Sequence, residues 1–372
     1  MQPLLFRQHY FSPDIFEAER RTIFGKLWIL AAIRPMVARH LEFRTLEIAG
    51  VPVLVQNFHG RIRAFENICR HRLSKIHVDE FGLRPLACPY HHWSYADDGT
   101  LTGVPSNSAL FQYSPGEMHA IRLREFETRA VGSLIFVNLS ASPIPLESQF
   151  SQPLLDLLSE STGCMDDEYI YTRYSCEFNW KTGMENIKDP LHVQCLHRDT
   201  FPGNIDIRAS LRQGPPVNHA RPASERRLVS LSEASTWGDA PISGEKCPDW
   251  HALVENLPSH GSYRAVHLFP NVNLMIVDGT SFALQIYNPT APETTEMQMA
   301  VSLTRSVAPF PHKPVVLWEH LASDMTVLNQ DLDCLEAMQP NFRAAGHDAN
   351  HGAYETAILD FHSAYLSQLN GE

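Results

Sequence analysis

The chain has 372 residues, 44% of them hydrophobic and 10% aromatic, with a formal net charge of −12. That length accommodates about two domains of ~100–200 residues each, and the acidic balance argues against a nucleic-acid binder, which shows a basic face. No apolar run approaches the ~20 residues of a membrane helix. The opening MQPLLFRQHYFSPD lacks the basic and apolar stretches of a signal peptide, so the expectation is a cytoplasmic protein without a membrane partner.

In chain order, Ser12-Pro13 reads as a helix start, an N-cap followed by proline at the first helical position. Phe16, Ile23, Phe24, Leu27 and Trp28 follow on one helical face. From about residue 40 the texture becomes short strands. VPVLVQNF and RIRAFENI are joined around His59-Gly60 as a hairpin, and GSLIFVNL (132–139) is a further strand. Ser140 to Pro153 reads as a linker. Strand-like YIYTRYSCEFNW then leads into a helical segment containing MENIKDPLHVQCLH. Residues from about 204 to 262 read as long functional loops, and 262–305 as several antiparallel strands. Trp318, Leu321, Met325, Leu328, Leu332 and Leu335 recur at helical steps, which predicts a long amphipathic helix, and a last helix lies in YETAILDFHSAYLSQL. Seven cysteines at irregular spacing speak against a disulfide scaffold. Cys164, Cys176, Cys195, Cys247 and Cys334 are expected to be free thiols.

Two short hooks carry chemistry. CRHR supplies Cys69 and His71, and CPYHHW supplies Cys88 and His91, with 16 residues between His71 and Cys88. Thiolate and imidazole suit soft and borderline metals. Zinc takes two of each tetrahedrally. A [2Fe–2S] cluster takes two thiolates on one iron and two imidazoles on the other. Zinc patterns pair like ligands within one hook, whereas each hook here is mixed, which favours the cluster.

Further on, Asp189, His192 and His197 lie at spacings of three and five. Two imidazoles and a carboxylate are the donors of the facial triad, which leaves positions open on a non-haem Fe(II). A five-residue spacing does not align on a regular helix, so an irregular turn is expected at Asp189-Pro190 or between the histidines. Carboxylates further along are Asp324, Asp331, Asp333 and Glu336. The apolar stripe puts Asp324 and Asp331 nearer the buried flank than Asp333.

CRHR, CPYHHWSY and the proline of TGVPS resemble the cluster-binding loops of the Rieske non-haem iron oxygenases, the ring-hydroxylating alpha-subunit family. Two positions depart from the family's usual glycines, Leu73 and His92. NWKTGMENIKDPLHVQCLH resembles the family's iron-binding segment, and NQDLDCLEAMQ the stretch around its aspartate ligand. The resemblance implies that Cys69, His71, Cys88 and His91 hold a [2Fe–2S] cluster, with Trp93 shielding it and His77 and His92 not ligating. It implies His192, His197 and Asp331 as ligands of a mononuclear iron and Asn186 near that iron. Asp189 becomes an electron-transfer bridge, hydrogen-bonded to His91 of the next chain in a homotrimer.

The implied fold is α+β. An N-terminal helical segment (1–38) packs on the catalytic domain, an all-β Rieske domain spans 39–150, and a catalytic domain of helix-grip type, an antiparallel sheet on a long helix, spans 151–372. The implied function is a terminal oxygenase that activates O2 and hydroxylates a small, aromatic substrate. The alternative is oxidative N- or O-demethylation, for which a cationic substrate calls for an aromatic cage. No Gly-x-Gly-x-x-Gly follows a strand, so NAD(P)H acts through a separate reductase, with or without a ferredoxin. A bare electron carrier and a zinc-stabilised binding protein are the rivals from other classes.

Overall fold

The structure is a computed structural model that describes residues 4–201, 229–242, 248–258, 261–352 and 355–371. The chain forms two compact units. One is continuous, Phe24–Ile144, and the other combines Met1–Ile23 with Pro145–Glu372.

The continuous unit is built on β1 (Trp28–Ile33), β2 (Glu42–Ile48), β3 (Val51–Phe58), β4 (Arg61–Glu66), β5 (Phe81–Leu83), β6 (Ser94–Tyr95), β7 (Leu101–Gly103), β8 (Glu125–Val131) and β9 (Leu134–Asn138). Seven of these make one sheet in the order β1-β9-β8-β4-β3-β2-β5, and β6 and β7 form a ribbon. The hairpin expected at His59-Gly60 joins β3 to β4, both turn residues having positive φ (53° and 88°). That is the backbone a two-residue hairpin loop needs to match the strand twist. Phe43, Leu54, Phe58, Phe65 and Leu86 pack with Cys69, Cys88, Trp93 and Tyr95 in one apolar core. Both hooks are therefore anchored by their cysteines in that core.

The second unit opens with α1 (Pro13–Glu19), capped by Ser12 as expected. It continues with α2 (Gln152–Thr162), β10 (Met165–Cys176), α3 (Trp180–Lys188), α4 (Pro190–Cys195), β11 (Thr236–Pro241), β12 (Ser262–Leu268), β13 (Val272–Val277), β14 (Ser281–Ala291), β15 (Thr294–Thr304), α5 (Lys313–Met338) and α6 (Thr356–Asn370). The sheet is wholly antiparallel, in the order β10-β15-β14-β13-β12-β11. The 26 residues of α5 pack against β10 and β15.

Four readings of the sequence need correction. The helical face expected to run through Leu27 and Trp28 stops short, since α1 ends at Glu19 and Trp28 opens β1. The stretch 140–153 contains a one-turn helix, Leu146–Gln149, and Phe150 is fully buried, so it is more than a linker. A strand, β11, lies inside the expected loops; its Gly, Asp and Pro hide it, and an edge strand tolerates them. Trp318 is 62% exposed. The buried stripe of α5 runs through Leu321, Leu328 and Leu335, and position 318 lies about 60° around the helix from it. Most of the loop stretch 204–262, and Cys247, lie outside the described residues.

Candidate metal centres

In the continuous unit the hooks are two tight loops. Cys69 N–H donates to Ser74 O (2.8 Å), Cys88 N–H to Trp93 O (2.9 Å) and His92 N–H to Cys88 O (2.9 Å). Leu73 and His92 occupy left-handed backbone, with φ of 61° and 54°. These are the two positions where the resemblance calls for glycine, which takes that conformation without strain. Cys69 and Cys88 are buried, while His71 and His91 are half-buried. The two imidazoles meet with centroids 4.6 Å apart, and His71 stacks on Trp93 at 4.7 Å. His71 Nδ1 is buried without a hydrogen-bond partner. An orphaned buried imidazole nitrogen is costly, and a metal bond removes the cost.

Burial lifts the Cys69 thiol, while the Tyr95 hydroxyl beside it at 3.1 Å acts in the opposite sense. Tyr95 is held there because its oxygen also accepts the Arg70 N–H at 3.0 Å. Sequence reasoning missed Tyr95, whose signal is only its place two residues after Trp93. The neighbouring histidines go elsewhere. His77 is a core residue stacked on Phe43 at 4.0 Å and accepting from Arg84 Nε at 3.0 Å. Burial first, then Arg84, brings its pKa down to about 4. His92 is exposed.

In the second unit, α3 is fixed at both ends. Asn179 caps it, its side chain accepting the Lys181 N–H (3.0 Å) and donating to Pro292 O (2.7 Å). Beneath it, Glu19 of α1 accepts from Lys181 Nζ (2.6 Å), Trp180 Nε1 (2.9 Å) and the Tyr365 hydroxyl of α6. All four side chains are fully buried, so the pair holds only because each charge is compensated. Gly183 lets α3 lie against β14: a Cβ there would stand 2.4 Å from the Tyr287 ring.

The helix breaks where expected. Asp189 has extended backbone, and its Oδ1 accepts Leu191 N–H at 2.8 Å to start α4. The α4 helix stops at Cys195, so His197 lies past its end in a turn. That reconciles the five-residue spacing with convergence. One ligand atom each from His192, His197 and Asp331 lies within 4.8 Å of the others. His197 Nε2 is 2.8 Å and His192 Nε2 3.6 Å from Asp331 Oδ1.

The tautomer of His197 is set from behind: Nδ1–H donates to Gln330 Oε1 (2.8 Å), which also accepts from Thr200 Oγ1 (2.7 Å). Nε2, 2.8 Å from Asp331 Oδ1, is then the nitrogen left for a metal, the usual arrangement behind a metal-ligating imidazole. His192 Nδ1, buried and without a hydrogen bond, faces Asp189 Oδ2 at 3.7 Å. Burial opposes charge on His192, but Asp189 and then Asp331 outweigh it and hold the imidazole above its usual range. Two imidazoles and one carboxylate, with His192 Nε2 and His197 Nε2 both turned to Asp331, fit a divalent cation of the Fe(II) type.

The other candidates lie apart. Asp333 is exposed, and Glu336 accepts Glu177 N–H at 3.1 Å. Asp324 stands two turns before Asp331, opposite Tyr263. Asn186 is half-buried; its carbonyl accepts Asp189 N–H (3.1 Å), and among the described residues its side chain makes no hydrogen bond to the triad. Gln330, directly before Asp331, was missed by sequence reasoning.

A cysteine–histidine site on an all-β unit and a two-histidine, one-carboxylate site beside an antiparallel sheet define a two-centre oxygenase. The chain belongs to the ring hydroxylating alpha subunit family: that family's catalytic domain matches residues 166–371, and the Rieske [2Fe-2S] domain matches residues 30–114. It is 26% identical to 2-aminobenzenesulfonate 2,3-dioxygenase subunit alpha of Alcaligenes sp., over 78% of this chain and 71% of that protein. It is 30% identical to the glycine betaine monooxygenase oxygenase subunit of Pseudomonas aeruginosa, over 50% of this chain but only 43% of that protein. In fold it matches a quaternary ammonium Rieske monooxygenase (TM-score 0.76, 16% identity, 98% of this chain and 95% of that one). It also matches naphthalene 1,2-dioxygenase from Rhodococcus sp. (TM-score 0.73, 19% identity, 98% and 94%). The family carries a [2Fe–2S] cluster and a mononuclear iron, uses O2, takes electrons from a separate partner and forms multimers. Among the described residues no helix is long and apolar enough to cross a membrane.

Proposed function

We propose that this chain is a terminal oxygenase whose cluster is held by Cys69, His71, Cys88 and His91 and whose mononuclear iron is held by His192, His197 and Asp331. The observation that carries the reading is the convergence of those last three side chains within 4.8 Å. With both groups in place, the cluster supplies single electrons and the iron activates O2. The chain's own residues do the rest. Gln330 holds His197 in the ligating tautomer, and Trp93 keeps water off one side of the cluster site. Asp189 caps α4 with one oxygen and turns the other to His192.

The electron route runs from the partner subunit's His91 through Asp189 to His192 in a homotrimer, with Asn186 close to the iron. Electrons come from NAD(P)H through a separate reductase, with or without a ferredoxin, in a reducing cytoplasm. The free cysteines among the described residues fit that compartment. The product is a hydroxylated small molecule. Relatives named for 2-aminobenzenesulfonate and for glycine betaine support an aromatic substrate and, as the second reading, demethylation of a methylated amine.

The test is Asp189→Asn. Asparagine keeps the capping oxygen, so both metals stay bound while single-turnover electron transfer from the reduced cluster stops. Normal transfer in that variant removes the bridge. Purified protein that is colourless when fully metallated removes the cluster, and with it the oxygenase.

A further inference from the structure

The sheet of the catalytic unit has two unlike faces. Val266, Leu268, Leu274 and Ile276 on one face of β12 and β13 are at most 1% exposed. Their neighbours on the other face, Tyr263, Ala265, His267, Met275 and Val277, are only half-buried. Alternate residues of a strand point to opposite sides, so this second face is less covered at its β12 end, while Asn273, Gln285 and Tyr287 further across it are buried. Tyr287 of β14 stands on the same face, and its ring packs on Gly183 of α3 while the Asp331 charge acts on it. This second face is therefore the one turned toward the helices that carry His192 and Asp331.

Asp324 belongs to the space beside the β12 end. It precedes Asp331 by seven residues, two turns or ~10 Å along α5, and so lies on the same side of the helix. Among the described residues its carboxylate makes no hydrogen bond and no ion pair, and burial alone pushes its pKa up to about 7. The group it faces is Tyr263. Burial first and then the Asp324 charge keep that phenol protonated, and its hydroxyl makes no hydrogen bond among the described residues. Phe201 meets the Tyr263 ring edge-on at 5.9 Å. A buried carboxyl group without a donor, near the Tyr263–Phe201 ring pair, suits a cation: the ring faces attract positive charge, and a bound cation favours the ionised carboxylate as its counter-charge. On this face His267, with Lys188 beside it, stands four residues or ~13 Å from Tyr263 along β12, and His320, one turn before Asp324 on α5, has its pKa brought down to about 4 by burial and then by His251.

We propose that Asp324, Tyr263 and Phe201 form a cation subsite that takes an amine or ammonium group of the substrate. It rests on the oxygenase reading only in treating this space as the substrate pocket. The test is therefore a binding measurement that needs neither reductase nor O2. Metal-loaded full-length protein is titrated with choline and with 3,3-dimethylbutan-1-ol, its neutral isostere, and with benzylamine and benzyl alcohol. At least one cation binds about tenfold or more tighter than its neutral partner, a difference of about 1.4 kcal/mol. In the isosteric Asp324→Asn that preference falls to about twofold, while the neutral ligands keep their affinity. Tyr263→Leu lowers the preference in the same direction. Equal binding of cation and neutral isostere in both wild-type pairs, or a preference that survives Asp324→Asn, overturns the proposal. Either result leaves the iron-site assignment standing, because that is read from metal content and electron transfer.

Discussion

The two candidate centres gather their donors in opposite ways. Cys69, His71, Cys88 and His91 come from one short stretch, on loops whose backbones bond mainly to themselves. His197 and Asp331 are 134 residues apart in the chain, and they meet only because α3, α4 and α5 are each fixed by buried partners. The first site is a local device set in an apolar core; the second is a product of the whole unit. Damage near the cluster should stay local, whereas damage to remote supports should reach the triad.

The largest break in that contrast is His192→Ala. Product formation falls to background while the visible and EPR spectra of the cluster are unchanged; turnover at the wild-type rate removes His192 from the centre. Next is Lys181→Met, which strands the Glu19 charge. The catalytic unit loses about 3 kcal/mol, seen as a lower denaturant midpoint by tryptophan fluorescence, with the cluster spectrum persisting at concentrations that unfold the rest. Gln330→Leu frees the His197 ring and weakens iron binding at the triad by ~10–100-fold, measured by chelator competition.

On the other side of the comparison the effects are smaller. Tyr95→Phe removes the hydroxyl beside Cys69. A hydrogen bond to a ligating sulfur favours the more electron-rich, reduced state, so the potential drops. At ~1 kcal/mol for the bond the drop is about 40 mV for one electron, read by a redox titration followed by EPR. Smallest is His92→Gly, which relieves a left-handed side chain and stabilises the continuous unit by about 0.5 kcal/mol; a lower melting temperature for that unit contradicts the strain.

The same contrast explains what could be read before the structure. The hooks announce themselves because ligand order and spacing lie in one segment, and loop geometry follows from them. Most strand and helix types were legible from periodicity, but not β1, taken at Trp28 as helix, nor α2, nor β11, whose Gly, Asp and Pro hide an edge strand. The break at Asp189-Pro190 was legible because proline cannot continue a helix. Among Asp324, Asp331, Asp333 and Glu336, periodicity set Asp324 and Asp331 apart from Asp333, and only the resemblance singled out Asp331. The packed neighbours give the physical reason: Asp331 against the histidines, Glu336 on a backbone amide, Asp333 in solvent and Asp324 near Tyr263. Tyr95 and Gln330 escaped for the same reason, because they act through a contact that exists only after folding.

The carboxylate of Glu19 has a consequence for synthesis. Its partners Lys181 and Tyr365 follow it by 162 and 346 residues, with the stretch Phe24–Ile144 forming a separate unit in between. On the ribosome the inserted unit can therefore close its core while the rest is still being made. Glu19 must wait, exposed, for nearly the whole polypeptide. Long-range closures of this kind are slow, so the unit Phe24–Ile144 is expected to mature first and the Glu19 cluster to close only once Tyr365 has emerged.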